Sequence, residues 1–178
     1  MTLQPTSKPT KGELEAAGDF VLSVFQHVSA QWPPICHEIQ FFDPKFESLR
    51  DDEVALYEFT LAVIAVEMHA IAYLPSDQAN RIRSHVLECL TTGSIAGGIG
   101  DYPRQAVAEY DEAWKHSISQ EEVPMFGVAA VLYYKLGLSS HVTIDRDNFL
   151  VISALVDAIV RLGGPWWKIY IERNRIVA

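Results

Sequence analysis

The feature that most constrains this chain is an apolar run at residues 54–74 that carries three polar side chains, Glu58, Glu67 and His69. The run is long enough to cross a bilayer, but a charged residue at the centre of a membrane helix costs about 2.5 to 3.5 kcal/mol. A proline follows directly, and a proline cannot continue a helix because it has no amide donor. We therefore predict a long central helix, residues 49–74, in a protein without a membrane span.

Helical patterning extends over nearly the whole chain. Apolar spacing, capping residues and prolines predict six or seven helices, which begin near residues 10, 49, 76, 101, 119 or 124, 146 and 165. The two that begin at 49 and at 119 are apolar on nearly every face, which is typical of buried helices. We predict an all-α fold: a single globular bundle of six to seven helices with central, nearly all-apolar helices over residues 10–178, after a flexible segment at residues 1–9.

Capping patterns set several of the predicted helix starts. Thr10-Lys11-Gly12-Glu13 and Ser119-Gln120-Glu121-Glu122 match the capping box, in which a hydroxyl and an acid three residues later satisfy two amide donors. Pro124 competes with the second box, because proline favours the first helical position. Asp145 or Asp147 is the predicted cap of the helix that begins near residue 146.

The segment after Trp32-Pro33-Pro34 is harder to assign. These prolines predict the end of the first helix, since proline also disfavours the helical conformation in the residue before it. Residues 35–48 are then irregular, or contain a short strand at residues 39–42. The aromatic residues predicted to fill the core from this loop are Phe41, Phe42 and Phe46.

The C-terminal residues 165–178 combine aromatic with basic side chains, and their sequence allows helix, strand or coil. Trp166 and Trp167 would diverge by about 100° on a helix. One is therefore predicted to pack on the bundle, and the other to lie at its margin, available to a partner or to a second subunit. The net charge of +2 favours docking of this tail on the protein's own acidic helices.

Charge argues against direct nucleic-acid binding. The chain has 14 Lys and Arg against 23 Asp and Glu, a net charge of −9, whereas phosphate contacts need clustered cations. The excess acid lies at residues 38–67, with net −6, and at residues 101–122, with net −4. Such regions can attract a basic protein. The side chains predicted to form a partner surface are Asp51, Asp52, Glu53, Glu109, Glu112, Trp166 and Trp167.

Seven residues of the long helix, spaced three and four apart, form one stripe: Asp51, Ala55, Glu58, Ala62, Ala65, His69 and Ala72. Two interpretations stay open. Glu58 and His69 point into a ligand or metal site between helices, or each pairs with a neighbouring arginine, tyrosine or carbonyl in a close-packed interface. Glu67 is a third pocket candidate, although nine residues turn the helix by about 180° and place it opposite Glu58.

No motif of known chemistry is present. The glycine-rich joint at residues 93–100 lacks the phosphate-loop patterns, and GxSxG, HExxH and SxxK do not occur. Glu112 and His116 have metal-ligand spacing, but the helix face on which they lie predicts a solvated surface.

Cys36 and Cys89 stand alone, which is typical of free thiols in a reducing compartment. We predict no catalytic residue, no cofactor and no metal, in a cytoplasmic protein.

These observations favour an acidic helical protein that binds another macromolecule, such as an inhibitor of a basic protein. The alternative is a small-molecule or lipid-binding helical protein with an apolar pocket near Glu58 and His69. An unrecognised enzyme or metal protein is a lesser alternative, and a homodimer is compatible with all three. A deep cavity beside Glu58 and His69 would favour the pocket, and a flat acidic surface would favour the partner.

Overall fold

The computed structural model of the chain describes residues 10–92, 100–164 and 166–177, and it confirms the predicted all-α class. The helices are α1 (Glu13–Ile39), α2 (Phe46–Leu49), α3 (Glu53–Ala70), α4 (Ser76–Thr92), α5 (Tyr102–Ser119), α6 (Pro124–Lys135), α7 (Phe149–Gly163) and α8 (Trp166–Arg173). A 3-10 turn, Ile71–Tyr73, extends α3, and β1 (Thr10–Gly12) pairs in parallel with β2 (Arg175–Val177). Within these ranges seven helices have eight residues or more, which agrees with the predicted number. The segment predicted to be flexible, residues 1–9, lies outside the described residues.

The central element is α3, as the apolar run predicted. Every residue from Phe59 to Glu67 is buried. The helices α1, α5, α6, α7 and α8 all contact α3, so its neighbours leave little of its surface to solvent. This enclosure explains why α3 lacks the one-sided apolar pattern of a surface helix.

The predicted starts of the first and the long helix are wrong. α3 begins after Asp52, whose carboxylate accepts hydrogen bonds from the amides of Val54 and Ala55 at 2.8 and 3.2 Å. The four residues Phe46–Leu49 form the separate helix α2. The capping box at Thr10 does not form, because residues 10–12 pair with the C-terminal strand β2 and Gly12 takes the N-cap position.

Proline and turn chemistry set the starts of α6 and α7. α6 begins at Pro124, the alternative start, and not at the capping box of residues 119–122. α7 begins later than predicted, at Phe149 with Asn148 as N-cap residue. Asp145 instead orders the turn before α7, because its carboxylate accepts from the amides of residues 147 and 148 at 2.9 and 3.0 Å.

The first helix does not end at Trp32, since α1 continues through Pro33 and Pro34 to Ile39. Both prolines are exposed, so the carbonyls one turn earlier, which lose their amide donors, lie on the solvent side. Beyond them Ile35 and Ile39 are 4% and 2% exposed. Burial of each large apolar side chain contributes about 1.5 to 3 kcal/mol, which offsets the roughly 3 kcal/mol that an internal proline costs.

Only one of the three loop phenylalanines fills the core. Phe46 is fully buried, and α2 is fixed to α1 by a hydrogen bond from Trp32 Nε1 to the Leu49 carbonyl at 2.9 Å. Phe41 and Phe42 are 78% and 53% exposed, so their predicted burial is wrong. The chain turns immediately after α1 and leaves these two rings outside, and no strand forms there in the described residues.

The C-terminal segment contains both a helix and a strand. Trp167 is fully buried and Trp166 half-buried, as predicted for adjacent tryptophans. Trp166 stacks on Tyr170 with 4.6 Å between ring centroids, and the Tyr170 hydroxyl donates to Asp19 at 2.8 Å. Aromatic contacts and strand pairing therefore dock this tail. Docking through its basic side chains is wrong, because they form no ion pair with any residue that the structure describes.

The helices α6, α7 and α8 expose apolar side chains. On α6, which was predicted to be buried on every face, Tyr134 is 46% exposed. The segment Phe149–Arg173, which spans α7 and α8, meets a length and composition criterion for a membrane span, since an 18-residue window within it has a mean hydropathy of 1.5 and is 35% buried. α7 itself has 15 residues, fewer than the roughly 20 that span a bilayer. This is compatible with the prediction that no helix spans a membrane.

Candidate functional site

The three predicted pocket residues of α3 lie in three different environments. Glu58 contacts α5 and α6, Glu67 contacts α7, and His69 lies beside a cleft between α3, α4 and α5. The stripe residues Ala62 and Ala65 are buried, while the side chain of Ala72 lies outside the described part. The predicted pocket set therefore does not form one site.

Glu58 belongs to a buried polar network. Its carboxylate accepts a hydrogen bond from the Tyr110 hydroxyl at 3.0 Å and lies 3.9 Å from Lys135 Nζ. Lys135 also pairs with Glu109 at 2.7 Å. Burial raises the pKa of Glu58, while the nearby ammonium and hydroxyl oppose this increase. Since partners from α5 and α6 satisfy this carboxylate, Glu58 matches the interface interpretation of the stripe.

Glu67 is a buried acid whose negative charge no described cation neutralises. It is 4% exposed, and its Oε2 has no hydrogen-bond partner among the described residues. Its carboxylate lies so close to Gly163 that a β-carbon there would be 2.6 Å from Oε1. Burial raises the pKa of Glu67 to about 7. A carboxyl of this kind destabilises the fold when it ionises, because no described cation balances it.

His69 borders a half-enclosed cleft of about 480 Å³, which we call the α3–α5 cleft. Its apolar wall comes from Ala65, Met68, Leu87, Val107 and Ala108. Its polar side chains are His69, Arg83, Arg104, Asp111 and Lys115. Ligand pockets commonly have volumes of about 300 to 1,000 Å³, mostly apolar walls and a few convergent polar groups. The α3–α5 cleft has all three properties.

Two neighbours hold the His69 ring. Its Nε2 lies 3.1 Å from the Asp111 carboxylate, and the ring stacks on Trp114 with 4.3 Å between centroids and 9° between planes. Burial lowers the pKa of His69, Asp111 raises it, and Arg83 and Lys115 lower it further. The imidazole is therefore mainly neutral at pH 7.

The cations of the α3–α5 cleft differ in whether they already pair with a carboxylate. Lys115 lies 2.6 Å from Asp111 and 3.2 Å from Glu112. Arg83 donates to the Met68 carbonyl at 3.2 Å and to an amide oxygen of its own helix, but to no carboxylate in the described chain. Arg104 is exposed and has no ion pair with a described residue, and the undescribed residues contain no Asp or Glu. With a neutral His69, the residues that line the cleft include three cations and one acid, and Glu112 beside the cleft also pairs with Lys115.

The predicted acidic surface divides into exposed and neutralised parts. Asp51 has an 85% exposed side chain and lies 3.4 Å from Arg50, and Glu53 is exposed beside it. Asp52 is committed to capping α3. In the second acidic region, Glu109 and Glu112 both pair with lysines. Of the predicted tail residues, Trp167 is buried and only Trp166 is partly accessible.

A second groove, which we call the α5–α6 groove, has the opposite charge. Its volume is about 520 Å³, and the residues that line it include Glu112, His116, Glu122, Ala130 and Val131. No group of three or more His, Cys, Asp or Glu side chains suited to a metal ion occurs in the described ranges. Residues 93–99 of the glycine-rich joint predicted at residues 93–100 lie outside them.

Comparisons with protein-family models, with curated proteins and with solved structures find no match for this chain. Its function therefore has to be inferred from the geometry of its own residues.

Four side chains of the α3–α5 cleft were missed in the sequence. Arg104, Asp111 and Lys115 lie at helical spacing with Ala108 on one face of α5, so this face was detectable as a polar stripe. Arg83, on α4, was not detectable in this way. No local pattern indicates that α4 would bring an arginine to the same cleft, because helix packing sets that neighbour.

Proposed function

We propose that this protein binds a small anionic molecule with an apolar part in the α3–α5 cleft. The observation that carries the proposal is that Arg83, Arg104 and Lys115 converge on an apolar cavity of about 480 Å³. This convergence is unusual in a chain with a net charge of −9, which has only 14 Lys and Arg in all. The cleft has the charge to hold an acidic headgroup and the apolar wall to hold a hydrocarbon part.

Two properties of the cleft support an anion in particular. Arg104 is exposed and has no described acidic partner, so its guanidinium is available to a carboxylate, sulfate or phosphate group, which guanidinium binds with two parallel hydrogen bonds. Arg83 is already oriented by its bond to the Met68 carbonyl at 3.2 Å. An orienting contact of this kind reduces the entropy lost when a ligand binds.

The direct test uses three ligands with the same alkyl chain and different headgroups: octyl sulfate, octanol and octylammonium. Calorimetric titration below micelle-forming concentrations should give the strongest binding for the sulfate, weaker binding for the alcohol and the weakest for the ammonium. Equal affinities, or preference for the cation, would show that the cations of the cleft do not select the ligand.

Substitutions locate the site. Arg104→Gln should weaken octyl sulfate binding by about tenfold or more, since a charge-assisted hydrogen bond contributes about 1.5 to 3 kcal/mol and each 1.4 kcal/mol is a factor of ten. Arg146→Gln, at an exposed arginine outside the cleft, should leave it unchanged. Ala108→Phe should block the cleft, and Ala30→Phe, at an exposed alanine of α1, is the matched control. Equal loss in the two alanine variants would place the binding site elsewhere.

The second candidate function is binding of a basic macromolecule, supported by the exposed Asp51 and Glu53 and by the acidic border of the α5–α6 groove. Association with such a partner should slow between low and physiological salt, because screening then acts over about 8 Å. Asp51→Lys with Glu53→Lys is the appropriate charge reversal. Asp52 is kept, because its loss would remove the cap of α3 and destabilise the fold. Association that does not change with salt would contradict this candidate.

A further inference from the structure

We infer that anion binding in the α3–α5 cleft is coupled to proton uptake by His69. This inference rests on the proposed function, since it concerns the same cleft and its ligand. It adds a consequence that the binding proposal does not contain, namely that the protein releases its anion as the pH rises.

The coupling follows from where the cleft places His69. The ring lies between the Asp111 carboxylate, 3.1 Å from Nε2, and the face of Trp114. Asp111 is the acid that favours an imidazolium at this position. Arg83 and Lys115, which border the same cleft, oppose it. The charge of His69 therefore depends on the balance of these groups.

A bound anion changes that balance. An acidic headgroup among Arg83, Arg104 and Lys115 cancels part of the positive field that disfavours the imidazolium, and it adds a negative charge to the cleft. The imidazole is half-buried, so water screens this effect only in part. The pKa of His69, which burial and the cations lower in the free protein, is raised when the anion binds.

The groups that surround His69 set the direction of the effect. From α4 the charged group is Arg83, and from α5 the groups are Arg104, Asp111 and Lys115. On α3 itself, Glu67 contacts α7 and does not border the cleft. By linkage, a ligand that raises a pKa binds more tightly to the protonated protein. Affinity should therefore decrease as the pH rises, by about tenfold for each unit by which the anion raises the pKa.

The experiment uses octyl sulfate, whose charge does not change between pH 5.5 and pH 8.5. Calorimetry of the wild-type protein near pH 6.5, in two buffers of different ionisation enthalpy, should show net uptake of a fraction of one proton for each ligand bound. The dissociation constant should rise several-fold from pH 5.5 to pH 8.5. In His69→Gln the uptake and most of this pH dependence should disappear, whereas His85→Gln, at a half-buried histidine of α4, should retain both.

The outcomes separate the two proposals. If the wild-type protein does not bind octyl sulfate at any pH, the proposed function is wrong. If it binds with no proton uptake and with constant affinity, only the coupling is wrong. Full pH dependence retained in His69→Gln would also overturn the coupling to this residue. The buffer comparison needs no substitution, so an absence of proton uptake would overturn the inference even if His69→Gln does not fold.

Discussion

Glu67 makes the stability of this protein dependent on pH, and the substitution Glu67→Gln tests the effect. The carboxyl group is 4% exposed, and its Oε2 has no described partner. Burial raises its pKa from 4.5 to about 7. A raised pKa means that the folded state holds the proton more tightly than the unfolded state. The stabilising effect of this proton is complete below about pH 4.5 and is lost as the pH rises through 7.

The size of the effect follows from the shift in pKa. A difference of one unit corresponds to 1.36 kcal/mol, so ionisation of Glu67 costs the folded state about 3 kcal/mol above pH 7. Glutamine has nearly the same shape and does not ionise. We therefore expect Glu67→Gln to gain about 2 to 3 kcal/mol relative to wild type between pH 5 and pH 8.5. For a chain of this length that is roughly 5 to 10 °C in melting temperature.

The assay is urea unfolding and thermal unfolding at pH 5, 6, 7, 8 and 8.5, followed by circular dichroism for both proteins. Glu13→Gln is the matched control, because Glu13 is an equally buried acid with the opposite shift. It accepts two hydrogen bonds from Arg81, both 2.8 Å long, and these lower its pKa. Glu13→Gln should therefore be least stable relative to wild type at neutral pH, and the difference should shrink in acid. If the free energies of unfolding of Glu67→Gln and of the wild type change in parallel with pH, the raised pKa of Glu67 is refuted.

Three further predictions concern packing and the thiols. Ala62→Leu should destabilise the fold by roughly 1 to 3 kcal/mol in urea unfolding, while Ala65→Leu should cost less because its side chain can extend into the α3–α5 cleft. Gly127→Ala should also lower the free energy of unfolding by roughly 1 to 3 kcal/mol, because its β-carbon would be 2.8 Å from a carbonyl oxygen of α5. Gly18→Ala should not destabilise the fold, because its β-carbon would meet nothing within 4 Å. Burial raises the pKa of Cys36 to about 12, so a thiol reagent at pH 8 should modify it only on unfolding. Equal losses of stability for Ala62→Leu and Ala65→Leu, or for Gly127→Ala and Gly18→Ala, would contradict the packing described. Fast labelling of Cys36 in the folded protein would contradict it as well.

The helices were predictable because their signals are local. Apolar periodicity, glycines and prolines predicted six or seven helices and the central position of the apolar run that became α3. Helix geometry alone also predicted that one of the two adjacent tryptophans is buried and the other lies at the margin, and the structure shows that the buried one is Trp167. The composition indicated the acidic character, but the acid contents of residues 38–67 and 101–122 gave no indication of which carboxylates are neutralised in the fold.

Tertiary contacts decided the features for which local rules failed. α1 passes through Pro33 and Pro34 because the residues after them are buried, and Thr10–Gly12 is a strand because the C-terminal strand pairs with it. Glu58, Glu67 and His69 share one helix but lie in three environments, since different helices pack on each side of α3. A single helix fixes only the direction in which each side chain points, and the neighbouring helices determine whether it meets a partner, an apolar wall or a cleft.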